Sequence, residues 1–512
     1  MPDTATLDKP AAKSGAKAQH FDVLVVGAGI SGVGAAYHLQ DQCPGMSYVV
    51  LEALEDFGGT WLMHKYPGIR SDSDLYTFGY RFKPWTGNPI ATAEEIRTYM
   101  DEVIQENDLK RHIRYQHKIL SADWSDADNL WTIHARRTDT NEDLVFTCGF
   151  LWMCQGYYRH SEGYTPDWQD MDKFKGDIVH PQTWPENYDY KGKKVIVIGS
   201  GATTATIVPA MAPDCEHITV LQRSPTYFVP GRNENEVADM LRLLEIDEEW
   251  IHEITRKAVL YNQAELTRRS FEEPEVVKQE LIDGVKELLP DGYDVDKHFT
   301  PKYRPWRQRV AFVPDGDLFA GIKAGKASMV TDEIERFTEK GILLKSGEEL
   351  EADIIVTATG FNLCALGDIA FSRNGEDINF NETVTYRGMM FTGMPNMVWV
   401  FGYFRASWTL RVDMVADFVC RLLKKMRQKG AKKVEVALRP EDKDMPILDW
   451  IDTENFNPGY IMRNMHLLPK RGDKPEWQHN QDYWTERKEF PDIDLDDAAF
   501  VYTQADQISD VA

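Results

Sequence analysis

From Phe21 to Gln40 the chain reads FDVLVVGAGISGVGAAYHLQ, an apolar run, a glycine turn, then small residues at helical spacing. An unbroken apolar run of this length marks a strand buried on both faces. A second such run, SYVVLEA (Ser47–Ala53), follows after one helix length, so the pair predicts a βαβ unit with parallel strands. The same order returns in KKVIVIGSGATTATIVPAMA (Lys193–Ala212) and HITVLQR (His217–Arg223). The chain repeats an architecture without repeating a sequence.

Between and after these units the texture changes. GGTWLMHKYPGIRSDSDLYTFGYRFKPW (Gly58–Trp85) is too irregular for regular elements and too apolar for a linker. Ala93–Asn107 has the period of a helix. Val237–Leu289 is charged, helical in period and poor in strand formers, and reads as an insertion reaching to about residue 298. EADIIVTATGF (Glu351–Phe361) reads as one more buried strand. From about Lys470 the chain is polar and acidic, and is expected to wrap the surface or be loosely held. The fold class is therefore α/β with two Rossmann-like dinucleotide-binding domains and a helical insertion in the second. The expected division is a tail over residues 1–20, a first domain over 21–155, a second over 156–358, and a return to the first over 359–512.

Charge and cysteine usage narrow the function classes. The formal net charge of −24 repels phosphate backbones and anionic lipid, which argues against nucleic-acid or membrane-surface partners. No apolar run approaches the ~18 residues of a membrane span, and the first twenty residues lack the apolar core of a secretory signal. The six cysteines, Cys43, Cys148, Cys154, Cys215, Cys364 and Cys420, show no C-x-x-C spacing. They read as buried thiols in a reducing cytoplasm, with neither a disulfide framework nor a metal site.

The two glycine turns carry different acid logic. Gly27-Ala28-Gly29-Ile30-Ser31-Gly32 is a complete G-x-G-x-x-G between strand and helix, with Glu52 ending the next strand. Backbone N–H groups at the helix start suit a pyrophosphate, and the carboxylate suits ribose hydroxyls. The second turn, Gly199-Ser200-Gly201-Ala202-Thr203-Thr204, has Thr in the sixth place, so helix and strand are expected to pack slightly further apart. Where the first unit has Glu52 the second has Gln222, followed by Arg223 and Ser224. Loss of the acid and arrival of a cation is what a 2′-phosphate requires. FAD is expected in the first unit and NADPH in the second, with hydride transfer between them. Reduced flavin can pass electrons to a disulfide or to O2; the cysteine spacing speaks against the disulfide.

FKGDIVHPQTWP (Phe174–Pro185) then matters. Its F-x-G-x-x-x-H-x-x-x-W-P, on Phe174, Gly176, His180, Trp184 and Pro185, resembles the fingerprint of type I Baeyer–Villiger monooxygenases, a close relative of which marks the flavin-containing monooxygenases. Gly58-Gly59-x-Trp61-x4-Tyr66-Pro67-Gly68-x3-Asp72 resembles a second motif of the family at every specified position. The resemblance spans about Phe21 to Pro469, and YPGIRSDSDLYTFGYRFKPW and NPGYIMR are most similar to the ethionamide-activating branch, which takes ketones and sulfides.

What this resemblance implies is specific. O2 reacts with the reduced flavin, and the resulting flavin peroxide turns a ketone into an ester or lactone, or oxidises a sulfide. Cofactor contacts are implied at Gly59, Thr60, Trp61, Asp72, Tyr76, Thr359 and Gly360. His180 and Trp184 are expected to anchor the connection between domains, presented by chain reversals at Gly176 and Pro185. In YRPWRQRVAF (Tyr303–Phe312) the resemblance places the active-site arginine at Arg309. On an extended chain Arg307 points the same way, so spacing alone does not separate the two. A negatively charged oxygen adduct in an apolar cavity needs a fixed cation, and arginine stays protonated. Asp72 is the implied carboxylate partner, although an aspartate in a Pro-Gly loop also suits a turn. Relatives carry Lys before the arginine where this chain has Gln308, so the 2′-phosphate leans on Arg223 and Ser224. Two other readings stay open: an enzyme oxidising mainly sulfur or nitrogen, and a flavoprotein that senses redox state without catalysis.

Overall fold

The computed structural model describes residues 18–504. Two sheets organise it, a mixed one and a wholly parallel one, each built on one glycine-turn unit. In the first, strand Gln19–Val26 lies between Tyr48–Leu51 and Asp143–Met153 and runs parallel to both. Val23 and Val25 enter a core shared with helix Ile30–Gln42, while Leu24 and Val26 enter another built around Trp124 and Trp131. Two cores, one on each side, explain why the run is apolar at every position. The strand starts two residues before that run, because backbone pairing of Gln19 and His20 with Phe146 and Thr147 needs no apolar side chains. Those two residues thus leave the expected tail; residues 1–17 lie outside the described part.

Asp143–Met153 also pairs antiparallel with Leu130–Arg137, which pairs antiparallel with His117–Ser125. Late in the chain Met397–Trp399 returns to lie parallel to Asp143–Met153. The second sheet is wholly parallel, in the order Ala327–Thr331, His217–Gln222, Lys194–Ile198, Ile354–Thr357, Asp177–Val179. EADIIVTATGF is not one strand: it breaks at Gly360, whose φ is +102°, and resumes as Phe361–Leu363. That second piece pairs antiparallel with Tyr158–Gly163, so the two crossings between the sheets form one ribbon.

The insertion contains helices Glu236–Leu243, Glu248–Glu272, Pro274–Lys286 and Val295–His298. It folds back over the first unit. Buried Arg256 donates to the carbonyls of Tyr76, Thr77 and Gly79 at 2.9, 3.3 and 3.0 Å, placing a cation at the C-terminal end of helix Leu75–Phe78. That helix and Thr60–Met63 are two single turns inside the stretch expected to be irregular; Asp74 caps one by accepting from Tyr76 N–H at 2.9 Å. No helix among the described residues is long and apolar enough to cross a membrane.

The segment after Lys470 is docked rather than loose. Trp477 is fully buried and donates to Asp442 at 2.8 Å, and Phe500–Gln504 pairs with Ala431–Val436. Its Glu486 meets Arg411 in an ion pair of 2.9 Å in which neither side chain reaches solvent, and accepts from Tyr403 at 2.5 Å. Three aromatics and one buried acid outweigh the polar average that suggested a loose segment. Removing one member of such a pair strands a charge in the core. Arg411→Met is expected to lower the unfolding free energy by about 3–5 kcal/mol, and Arg411→Met with Glu486→Leu to regain most of it. Denaturant unfolding of both variants checks this; a neutral single variant would contradict it.

Candidate active site

The first glycine turn is closed tightly. A Cβ at Gly32 would lie 1.8 Å from the carbonyl oxygen of Gly27, so no other residue fits without moving helix from strand. Gly29 caps helix Ile30–Gln42 without a side-chain hydrogen bond, which leaves the first N–H groups free for a ligand. Gly59 lies directly opposite, its Cβ position 3.2 Å from the Cα of Gly29, and opens the turn Thr60–Met63. Trp61 of that turn packs edge-on against Phe78. Glu52 is buried at the end of its strand, and accepts from Ala28 N–H at 2.6 Å and Leu54 N–H at 2.9 Å. Burial raises its pKa, against which the backbone donors work. Ser31 accepts from the indole of Trp408 at 2.9 Å, tying this helix to Trp408–Lys429. Tyr76 is buried with its hydroxyl against Arg242 at 3.1 Å, on the side of the insertion.

The second turn shows what Thr in the sixth place does. Thr204 stands where Gly32 stands in the first, and its hydroxyl donates to the Gly199 carbonyl at 2.9 Å. A hydrogen bond thus spans what is bare contact in the first unit. Gly201 caps helix Ala202–Met211 without a side-chain bond, and nothing lies within 4 Å of its Cβ position. Ser200 bonds Thr226 at 2.9 Å. Gln222 does not face the cradle as an acid would: it is buried and donates to His298 O and Thr331 Oγ1 at 2.7 and 2.9 Å. Arg223 and Ser224 beyond it are exposed, which suits an external phosphate.

The motif loop Tyr66–Asp72 bridges the units. Arg70 forms a forked pair with Asp317 at 2.6 and 3.1 Å and donates to Ala205 O at 3.1 Å. Arg309 Nη2 lies 2.6 Å from Asp72 Oδ2. Burial works against the Arg309 charge, but Asp72, Tyr157, Tyr158 and Tyr460 outweigh it and hold its pKa above the ordinary arginine value. The segment before Arg309 is not extended: it turns at Trp306, whose φ is +62°, and leaves Arg307 exposed. The bends that follow at Arg307 and Gln308 separate the two arginines that an extended chain would align.

The tyrosines beside Arg309 are not among the expected site residues. The hydroxyls of Tyr157 and Tyr158 are 2.5 Å apart, and Tyr157 stacks on Trp408 with centroids at 5.2 Å. Burial raises the pKa of all three. A signal existed: Tyr157 lies four residues beyond the C-terminal end of Asp143–Met153, a strand parallel to Gln19–Val26, and α/β folds place ligands at such strand ends.

The fingerprint segment sits on the crossing ribbon. His180 Nδ1 accepts from Gln182 N–H at 3.1 Å, which leaves Nε2 to donate to Gly360 O at 3.2 Å. A Cβ at Gly163 would lie 1.9 Å from the His180 ring, so the imidazole lies flat on one crossing while bonding the other. Thr359 donates to Tyr164 O at 2.5 Å across the same junction. Trp184 packs instead edge-on to Tyr188 at the second core, and Phe174 is buried in the adjoining one. Gly176 makes a close approach rather than a reversal, its Cβ position being 2.1 Å from Asp353 O. Among the described residues no group of His, Cys, Asp or Glu is arranged to hold a metal.

Two dinucleotide cradles joined by such a ribbon, with an arginine–aspartate pair at the seam, define a two-domain flavoprotein oxygenase fold. The chain matches the family model "Flavin-binding monooxygenase-like" over residues 82–246 and "NAD(P)-binding Rossmann-like domain" over 25–90. It is 47% identical over 470 residues to the FAD-containing monooxygenase EthA of Mycolicibacterium smegmatis, covering 91% of this chain and 94% of that protein. Identity to EthA of Mycobacterium tuberculosis is 46% over 468 residues, again 91% and 94% of the two chains. A steroid monooxygenase bound to NADP shares the fold at a TM-score of 0.74 and 22% identity, over 95% of this chain and all of that one. An ε-caprolactone-bound cyclohexanone monooxygenase does so at 0.72 and 21%, with the same coverage. The chain belongs to the family of FAD-containing monooxygenases that includes EthA. The expected flavin and nicotinamide cofactors agree with these relatives.

Two outcomes are expected. Gly32→Val cannot keep helix and strand together, so the purified protein should have lost most of its flavin absorbance; a full complement would contradict the cradle. Burial lowers the pKa of His64, His160 and His180, that of His160 to about 4. At these three imidazoles the unfolded chain binds more protons than the folded one below about pH 6.5, so their contribution to stability should fall from there toward pH 4, while Asp74, raised to about 7 by burial, works the other way. Unfolding free energy of wild type and His160→Gln measured at pH 7.5 and 5 checks the sign: on going to pH 5, wild type should lose more of it than the variant.

Proposed function

We propose that the chain is an NADPH- and O2-dependent monooxygenase that converts ketones to esters or lactones and also oxidises sulfides. The observation that carries this reading is the Arg309–Asp72 pair among three tyrosines where the two units meet. The family membership supports the oxygenase chemistry, and a fold neighbour named for cyclohexanone with a lactone bound supports the ketone reaction.

The residues fit the two cofactors. Free N–H groups behind Gly29 and Gly201 suit two pyrophosphates. The Glu52 oxygens, each accepting one backbone N–H, keep lone pairs for ribose hydroxyls. Arg223 and Ser224 suit the 2′-phosphate. Bound FAD, reduced by NADPH, supplies the activation of O2.

The chain's own residues then handle charge. Asp72 keeps Arg309 oriented and protonated, so a positive group is fixed before any negative oxygen forms. With the cofactors bound, the Arg309 guanidinium would stabilise negative charge on the attacking oxygen and on the substrate carbonyl oxygen. Tyr157, Tyr158 and Tyr460, with raised pKa values, remain hydrogen-bond donors rather than competing anions.

Arg309→Ala should retain FAD and lose about 10²–10³ in the rate of ketone oxygenation. Sulfide oxidation, which needs less anion stabilisation, should fall less. Product analysis with a cyclic ketone and an aryl sulfide reads both, and ketone oxygenation at near wild-type rate would overturn the assignment.

A further inference from the structure

In a chain with 82 acidic residues, three arginines near the reaction centre meet no carboxylate. Among the described residues Arg304, Arg307 and Arg405 form no ion pair. Arg405 donates to Trp306 O at 3.3 Å and Asn455 O at 2.5 Å. Arg304 donates to Pro305 O at 3.1 Å and Asn455 Oδ1 at 3.0 Å. Both guanidiniums lie over the ring of Phe271, at 3.9 and 5.1 Å, and Arg405 also over Phe456 at 5.5 Å. Asp452 acts on both through space, but its oxygens accept from Glu454 N–H at 3.1 Å and Asn455 Nδ2 at 2.6 Å and form no ion pair with either guanidinium. Burial and the charge of Arg304 pull the Arg405 pKa down to about 10. Like charges held together at this cost await an anion.

Their position gives the anion a role. The segment leading to Arg309 runs beside the segment leading to Tyr460. Arg309 feels Tyr460 at one end, Arg307 O accepts from Asn457 N–H at 3.1 Å in the middle, and Arg304 holds Asn455 at the other. Arg304 is thus five residues from Arg309, at most ~17 Å along the chain, and Arg405 meets it at Asn455. Between them Trp306 keeps its left-handed backbone, and its buried Nε1 and the buried Oδ1 of Asn457 have no partner among the described residues. Phe271, Phe404 and Phe456 flank the cluster, with Phe404 stacked on Phe456 at 4.6 Å, which suits an alkyl chain better than a nucleotide.

We propose that Arg304 and Arg405 bind the carboxylate of acid-bearing substrates, holding that end of the chain while the group to be oxygenated lies at Arg309. The second half of this statement rests on the function proposed above; the carboxylate site does not. Planar guanidiniums suit a carboxylate through paired, charge-assisted hydrogen bonds.

The test uses dodecanoate and dodecan-1-ol, neither of which is a ketone or sulfide, titrated calorimetrically into FAD-loaded protein saturated with NADP⁺. Wild type should bind the acid roughly tenfold more tightly than the alcohol at low salt. Arg304→Gln and Arg405→Gln should each erase that preference, and Arg405→Lys should keep part of it. Flavin absorbance and melting confirm that each variant is folded; if Arg405→Gln is not, Arg304→Gln and Arg405→Lys carry the test. Equal binding of acid and alcohol by wild type overturns the site. So does a preference that survives in folded Arg304→Gln. Weaker NADP⁺ binding with an unchanged acid preference also overturns it, and assigns the cluster to a cofactor phosphate. Because the probes are not turned over as ketones, failure here is separate from failure of ketone oxygenation.

Discussion

A guanidinium supplied by one nucleotide-binding unit rests on a carboxylate supplied by the other. Neither Arg309 nor Asp72 is deeply buried, their side chains being 40% and 28% exposed, so the pair adds little to stability. Its value is geometric. The positive charge is in place only while the two units keep one relative position, and much of the fold serves that position. Arg70 on Asp317 and the loop Tyr66–Asp72 hold the seam from one side, and His180 on the crossing ribbon holds it from the other.

The insertion and the C-terminal segment contribute in the same sense. Arg256 fixes the long helix Glu248–Glu272 to the end of Leu75–Phe78, just after the loop that bears Asp72. Glu486 fixes the C-terminal segment to helix Trp408–Lys429, whose first residue stacks on Tyr157 and bonds Ser31. Buried charges therefore sit where peripheral parts must be located relative to the centre, and each is satisfied by backbone carbonyls or an opposite charge.

Much of this was legible in the sequence. The two glycine turns, the change from Glu52 to Gln222 and Arg223, and the helical insertion follow from local pattern and chemistry that the fold leaves intact. Trp184, by contrast, packs at the second core rather than on the ribbon, and Tyr76 turns its hydroxyl toward the insertion. Such outcomes depend on which elements meet in space, and periodicity does not carry that. The tyrosines beside Arg309 come from segments just over 300 residues apart in number, 157–158 and 460, and only the assembled fold brings them to one cation. The polar C-terminal segment misled for another reason: a few aromatics such as Trp477 and Phe490 set its attachment, and averages over many residues hide them.

The antiparallel pairing of Tyr158–Gly163 with Phe361–Leu363 has a mechanical meaning. Two separate linkers would let one nucleotide fold tilt, slide or turn against the other. Linkers hydrogen-bonded to each other behave as a single torsion rod, and a rod of this kind resists shear while yielding to twist. His180 bears on both crossings, its ring against Gly163 and its Nε2 on Gly360 O, so neither crossing can shift without the other.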